Sequence, residues 1–242
     1  MSERQPRRNA APALLLAGAA CALLLLAALF VNAEEPGAAG SPGGTAADTV
    51  SDEMRAAGEE IARRDPADPH AMGPVDAPVV MVAYSDYLCP FCARWVHRTQ
   101  PELVEAYVDP GLVRIEWREF PYLGENSRTL ALGAVAAGNQ DRFWEYHARV
   151  YDAPEDFTGD ADEVRASMLD AAGEIGLDTD AFARDLDAPE SEEAVERDFT
   201  EGQDMGMSGT PAFLVNGDPV LGAQPLDAFT DSIDAALRAA GR

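Results

Sequence analysis

A chain of 242 residues with three cysteines and a formal charge of −25 has room for one ordinary domain plus an appendage, and for a real hydrophobic core. Three cysteines are too few for a disulfide scaffold or a four-cysteine zinc site. All 18 Lys+Arg positions are arginine, and so acidic a protein lacks the basic footprint that nucleic acid requires.

Residues 1–9 carry Arg4, Arg7 and Arg8 against the single acid Glu3 and read as a basic cytoplasmic n-region. From Ala10 to Val31 no residue is charged; eight of these 22 are leucine and nine alanine. As a helix this run is roughly 33 Å long, enough to cross the hydrocarbon core. Residues 10–33 are therefore read as a transmembrane anchor or signal segment. The length favours an anchor. Val31-Asn32-Ala33 also offers the small residues of a cleavage site, so secretion after cleavage stays open. In both cases the arginines stay inside and the remainder is exported. Arg7-Arg8 lacks the following residues of a twin-arginine signal. Cys21 reads as a membrane-buried thiol and not a lipid-bearing one, because the apolar run continues past it from Ala22 to Val31. The charge divides along the same line. Residues 1–33 hold three Arg and one acid, or +2, and the exported part holds 15 Arg and 42 acids, or −27. Such an excess of acid suits a solvated surface.

Residues 34–73 are expected to be a flexible linker, rich in Gly, Ala, Ser and Pro at first. A short helix is possible within it from Ser51 to Arg64, with Ser51 as N-cap. Pro66, Pro69, Gly73 and Pro74 then punctuate a loop. A domain follows over 74–242. Val79 to Tyr84 reads as a buried strand. Cys89 to Tyr107 reads as a helix bent at Pro101. Val113, Ile115 and Trp117 alternate with Arg114, Glu116 and Arg118, the pattern of a half-buried strand with its charges in solvent. From about residue 126 to 207 only helical patterns occur. One has Phe143, His147, Val150 and Tyr151 on a common face, and others run over Val164 to Ile175 and Glu193 to Met205. Ala212 to Val215 reads as a strand, Asn216-Gly217 as a turn and Val220-Leu221 as a short strand. A final helix carries Leu226, Phe229, Ile233 and Leu237 on one face, opened by Pro225 and closed by Gly241. The order is β-α-β, a helical block, then β-β-α.

The chemistry lies in Cys89-Pro90-Phe91-Cys92, at a strand-to-helix junction. A cysteine at a helix N-terminus is held as thiolate by free amide N–H groups and the macrodipole. Cys92, one turn on, can close a small disulfide ring with it. Pro90 suits the first helical turn. The outer sulfur would attack and leave, and the inner one would resolve the mixed disulfide. Two other readings compete. A metal site would need further ligands, and His97, roughly 12 Å along a helix from Cys89, is badly placed. A static disulfide across four residues would restrain almost no chain entropy. Redox exchange is favoured, and export to an oxidising compartment fits it. His147 is expected to be a packed core histidine, the three tryptophans core, and Arg94 and Arg98 solvated.

The stretch Ser85-Asp86-Tyr87-Leu88-Cys89-Pro90-Phe91-Cys92 resembles the active-site segment of the DsbA-like thioredoxin family, and Asp76-Ala77-Pro78-Val79 resembles the run ahead of it. Phe143-Trp144-Glu145-Tyr146-His147 resembles a helix of that family's inserted helical domain, and Gly209-Thr210-Pro211 its cis-proline loop. The resemblance covers about residues 74–240. It implies an α/β thioredoxin fold with a helical insertion at about 126–207, and disulfide exchange with extracytoplasmic protein thiols. It implies Cys89 as nucleophile, Cys92 as resolving thiol, Pro90 and Phe91 as the active-site loop, and Thr210-Pro211 as the backbone that holds a substrate strand.

Two departures from the family stand out. Where the family commonly has an acid six positions before the first cysteine, as proton relay for the inner one, this chain has Ala83. Asp86 is the nearest acid and a candidate relay, its plainer role being to cap the loop or helix start. Without the acid, proton transfer for Cys92 is expected to rely on water and its attack to be slow. Secondly, strong oxidants of the family often carry His between the cysteines; Phe91 supplies neither donor nor charge. The expected protein is an envelope thiol-disulfide oxidoreductase, an oxidase of exported proteins. It would be anchored in the cell membrane as a monomer, without cofactor or metal, and recycled by a membrane reoxidising partner. A reductase, an isomerase or a thioredoxin-fold metal chaperone are the alternatives. The 43 residues from Glu34 to Asp76 are too few for the dimerisation domain that isomerases of this fold add.

Overall fold

The computed structural model describes residues 56–242. The expected n-region, apolar segment with Cys21, first part of the linker and Ser51 cap lie outside the described residues. Among those described, no helix is long and apolar enough to cross a membrane.

A five-stranded sheet runs in the order β1-β3-β2-β4-β5. Its strands are β1 (Ala71–Met72), β2 (Val79–Ser85), β3 (Val113–Glu119), β4 (Ala212–Val215) and β5 (Asp218–Leu221). β2 and β3 are parallel, in register from Val79 against Val113 to Ser85 against Glu119. The other pairings are antiparallel. The β4–β5 hairpin turns at Asn216 and Gly217, both with positive φ, as an Asn-Gly turn matching the strand twist requires.

The parallel crossover from β2 to β3 holds the helix α1 (Pro90–Arg98). One continuous helix bent at Pro101 was the expectation; the structure breaks it earlier. α1 is capped at Thr99, α2 covers Gln100–Leu103, and a wide π turn follows over Val104–Val108. Pro101 has no N–H for the carbonyl of His97 four residues back, and its ring crowds that carbonyl, so the disruption lies upstream of the proline.

Five helices follow β3 before the chain returns to the sheet. They are α3 (Glu125–Gly138), α4 (Phe143–Asp152), α5 (Ala161–Glu174), α6 (Thr179–Leu186) and α7 (Pro189–Asp204). α5 opens on a capping box between Asp160 and Glu163. α8 (Leu226–Ala239) closes the domain, with Pro225 as its N-cap and Gly241 in the left-handed region just beyond it. This is a thioredoxin fold with an inserted helical region.

Strand alternation divides the core into two. Val79, Met81, Ala83, Ile115, Trp117 and Phe213 face the larger cluster with α1, the inserted helices and α8. Val80, Val82, Tyr84, Ala212 and Leu214 face a smaller one, closed by Ile61, Ala62 and Phe199. Met205 and Met207 pack against this second cluster. α7 lies close to the sheet because residue 202 is glycine; a Cβ there would stand 2.7 Å from the Phe120 ring.

β3 departs from its expected half-buried pattern. All seven of its residues are buried, Arg114, Glu116 and Arg118 included. The face expected in solvent is covered by α7 and by the chain around residues 61–64. The charges are neutralised in place. Glu116 accepts from Arg114 Nε at 2.9 Å and Arg118 Nη2 at 2.8 Å, and from the backbone amides of Arg63 and Arg64 at 2.9 and 2.8 Å. Arg118 Nε also reaches Glu201 at 3.1 Å, and Arg63 pairs with Asp198 at 2.7 Å and Glu201 at 3.0 Å. The domain thus begins before residue 74, the expected linker boundary: residues 61–64 are held by this network, and β1 lies inside the assigned linker as an edge strand on β3.

Candidate active site

The loop from β2 delivers Cys89 to the N-cap of α1, with extended backbone at φ −81° and ψ 118°, and Pro90 follows in the first turn. Both cysteines are free thiols; Cys89 is 5% exposed and Cys92 fully buried. The cis Thr210–Pro211 peptide leads into β4 opposite them, and in its thiol form Cys89 donates to the Thr210 carbonyl at 3.3 Å. Met207, Thr210, Pro211, Leu221 and Gly222 line an adjoining cleft of about 310 Å³. The sequence-singled pair and the Thr210-Pro211 loop are therefore brought together.

The two sulfurs differ in their electrostatics. Cys89 is brought down from the usual 9 to about 6, chiefly by a hydrogen bond from the Cys92 thiol, with the Thr210 side chain and the Cys92 and Phe91 amides helping against burial. Burial and the neighbouring Cys89 sulfur push Cys92 far above its ordinary range. Such a pair has one accessible thiolate and one protected proton.

Asp86 is buried and saturated with donors. Oδ1 accepts from the Leu88 amide and the Ser127 hydroxyl, each at 2.8 Å, and Oδ2 from the Leu123 amide at 2.8 Å. It thereby ties the cysteine loop to the loop after β3 and to α3. Burial raises its pKa despite these bonds. Ala83 is fully buried on the strand face that looks toward α1. Two residues not singled out in the sequence join the cysteine loop to α4. Ser85 shares the face of Ala83, two residues on. Its Oγ lies 3.1 Å from Tyr151 Oη, and Tyr151 donates to the Asp86 carbonyl at 3.0 Å. The signal for Ser85 was a polar residue at the end of an otherwise apolar strand face; Tyr151 gave none beyond its place on an aromatic helix face. Glu119, paired in register with Ser85, is buried and raised well above the usual carboxylate range by burial.

His147 is buried among Trp117, Tyr87 and Tyr151, and burial lowers it to about 3, so it is neutral packing. Among the described residues no group of three or more His, Cys, Asp or Glu is placed to hold a metal ion. Phe91 is half exposed, with the Arg94 guanidinium 4.8 Å from its ring centre, and offers the thiolate no side-chain donor. Phe91→His is therefore expected to make the disulfide easier to reduce, by on the order of 30 mV, a tenfold change in equilibrium constant. A titration against glutathione buffers checks this, and no change or a negative shift would refute it.

A dithiol at the N-terminus of the first helix of a thioredoxin fold, facing a cis-proline, defines a thiol-disulfide exchange protein. The thioredoxin family model Thioredoxin_4 matches residues 65–235. The probable disulfide bond formation protein D of Bacillus anthracis is 29% identical over 172 residues, which cover 69% of this chain and 78% of that one. A thioredoxin-like oxidoreductase from Silicibacter pomeroyi is 34% identical, with a TM-score of 0.62 over 72% of this chain and 94% of that one. Oxidised BdbD from Bacillus subtilis, 24% identical, shares the fold at a TM-score of 0.65, over 71% and 94% of the two chains. The chain belongs to the DsbA-like branch of the thioredoxin family and is a thiol-disulfide oxidoreductase with Cys89 and Cys92 as its CxxC pair.

Proposed function

We propose that the protein is an oxidase that introduces disulfides into exported proteins. The observation that carries this is the stabilised Cys89 thiolate, held near 6 beside a fully buried Cys92. A thiolate favoured in the reduced state makes the disulfide a better electron acceptor. A substrate thiolate attacks Cys89 in the Cys89–Cys92 disulfide, and Cys92 leaves. A second substrate thiolate then releases Cys89 and completes the substrate disulfide. Two electrons pass to the pair, and a membrane partner must remove them. Pro90 and Phe91, expected as a loop, instead link the two cysteines within the first turn of α1, and Thr210-Pro211 positions the substrate strand by β-augmentation. The domain would act extracytoplasmically as a monomer, held to the cell membrane by residues 10–33 or released after cleavage. Similarity to the probable disulfide bond formation protein D of Bacillus anthracis supports the direction.

Alkylation trapping of the full chain in growing cells tests it. Cys89 and Cys92 are expected to be mainly disulfide at steady state. Mainly free thiols would sink the oxidase reading in favour of a reductase. Metal bound stoichiometrically without turnover would favour a chaperone.

A further inference from the structure

A groove of about 930 Å³ lies on the exposed face of α7, and the redox chemistry does not use it. Glu193, Glu196, Arg197, Thr200 and Asp204 recur along α7 at helical spacing and line it. Its apolar residues are Ile61, from the chain before β1, and Met205, just past the helix end. Both are part-exposed and packed on the smaller core cluster. The long charged side chains add their aliphatic stems. Five carboxylates line the groove against two guanidinium groups, those of Arg128 and Arg197. These charges are not equivalent. Glu201 is held by Arg63, Arg118 and the Tyr84 hydroxyl. Arg128 holds Glu192 at 3.0 Å and Glu196 at 2.8 Å, and Arg197 lies 3.5 Å from buried Asp198. Glu193 and Asp204 are exposed and have no cationic partner among the described residues. They stand eleven residues apart on the same side of α7, roughly 16 Å along its axis.

The groove continues the cleft beside the cysteines. Met205 lines the groove, and Gly206 and Met207, next in the chain, line the cleft at Thr210-Pro211. On the side of α3, Arg128 follows Ser127, whose hydroxyl binds Asp86 of the cysteine loop. Three occupants compete, and charge separates them. Residues 34–55 of this chain carry five acids and one arginine, and a second copy would bring an exported part of −27. The unpaired carboxylates repel both. They attract a cationic segment of another protein.

We propose that this groove binds the part of a substrate protein that flanks its cysteine, and that it selects a cationic, part-apolar sequence. An extended stretch with arginine or lysine at two places about five residues apart spans the distance from Glu193 to Asp204. Apolar side chains between them rest on Ile61 and Met205. The inference builds on the reading of Thr210-Pro211 as the loop that holds the substrate strand, and it adds the class of sequence which that strand belongs to.

Fluorescence anisotropy of the full chain in neutral detergent tests this with labelled peptides. They share one apolar core, with serine in place of cysteine, and carry two arginines, two glutamines or two glutamates at that spacing. The arginine peptide is expected to bind about tenfold more tightly than the glutamate peptide, with glutamine between them. High salt should close most of the difference. Glu193→Gln combined with Asp204→Asn should remove most of the preference, and Thr200→Arg should weaken the arginine peptide most. Glu102→Gln combined with Glu105→Gln removes the same charge from exposed positions outside the groove and should keep the preference. Equal loss in both double variants would assign the preference to overall charge and overturn the proposal. Equal binding of the three peptides, or binding of none, would overturn it too. A dimer that Thr200→Arg dissociates would give the groove to a second copy instead. Cysteine-bearing versions of the peptides keep the underlying reading separate. If all three are oxidised through Cys89 and Cys92 at the same kcat/KM, the groove fails alone. If none exchanges with the pair, the substrate reading fails, and this proposal with it.

Discussion

Replacing Cys92 with alanine is expected to raise the pH at which Cys89 ionises, from near 6, by about one to two units. The largest favourable influence on the Cys89 thiolate is the hydrogen bond from the Cys92 thiol. A hydrogen bond to a charged group is worth roughly 1.5–3 kcal/mol, and one pKa unit is about 1.4 kcal/mol. Cys92→Ser keeps a hydroxyl donor and should raise Cys89 less. Both variants lose the resolving sulfur, so both should fall to background turnover while Cys89 collects in mixed disulfides with substrates. The direction of the shift also sets a pH window. In the wild type Cys89 is mainly thiolate above about 6; the gain of the reduced state over a dithiol of ordinary pKa is complete above about 9 and is lost as pH falls to about 6. Thiolate absorbance against pH for the wild type and both variants gives the three midpoints. An unmoved midpoint in Cys92→Ala would mean that the helix amides and Thr210 account for the acidity of Cys89 by themselves.

The parts of this site legible in the sequence are local ones. Cys89-Pro90-Phe91-Cys92 declares itself because a strand end, a proline in the first helical turn and the cysteine spacing are all short-range features. Asn216-Gly217 does so for the same reason. Thr210-Pro211 is legible only through family resemblance, since an isolated Gly-Thr-Pro reads as a loop. Arg114, Glu116 and Arg118 misled because alternation tells which residues share a face but not what covers it. Their cover comes from Arg63 and from Asp198 and Glu201, the latter pair 80 or more residues further along. Nor does strand alternation show that Ser85 has Tyr151 beside it, a contact across 66 residues. Long-range closure, and not local propensity, converts a polar strand residue into part of a site.

Glu116→Gln is expected to destabilise the folded chain at neutral pH by about 3 kcal/mol or more, because it unbalances buried arginines. Glu116 is fully buried, and burial pushes its carboxyl up; hydrogen bonds from Arg114, the Arg63 amide and Arg118 outweigh that and hold it at about 2, against the ordinary 4.5. An acid whose pKa is lower folded than unfolded binds its proton first in the unfolded state. Its stabilising contribution is complete above about 4.5 and is lost as pH falls toward 2. Glutamine has no such proton, so the variant should lose less stability than the wild type over that interval, and the two curves should converge toward acid. Glu119 and Asp86 carry the opposite sign. Burial raises both, so each takes up a proton more readily in the folded chain and favours folding at low pH. Both remain in the variant, so the difference between the two curves isolates Glu116. Denaturant midpoints of the reduced full chain from neutral pH to the acid limit of folding supply those curves. Parallel curves would show that the Glu116 carboxylate is not what fastens Arg63 and Arg64 to the sheet. Convergence would show that residues 61–64, met in the sequence as part of a flexible linker, are held to the domain by a charge that acid removes.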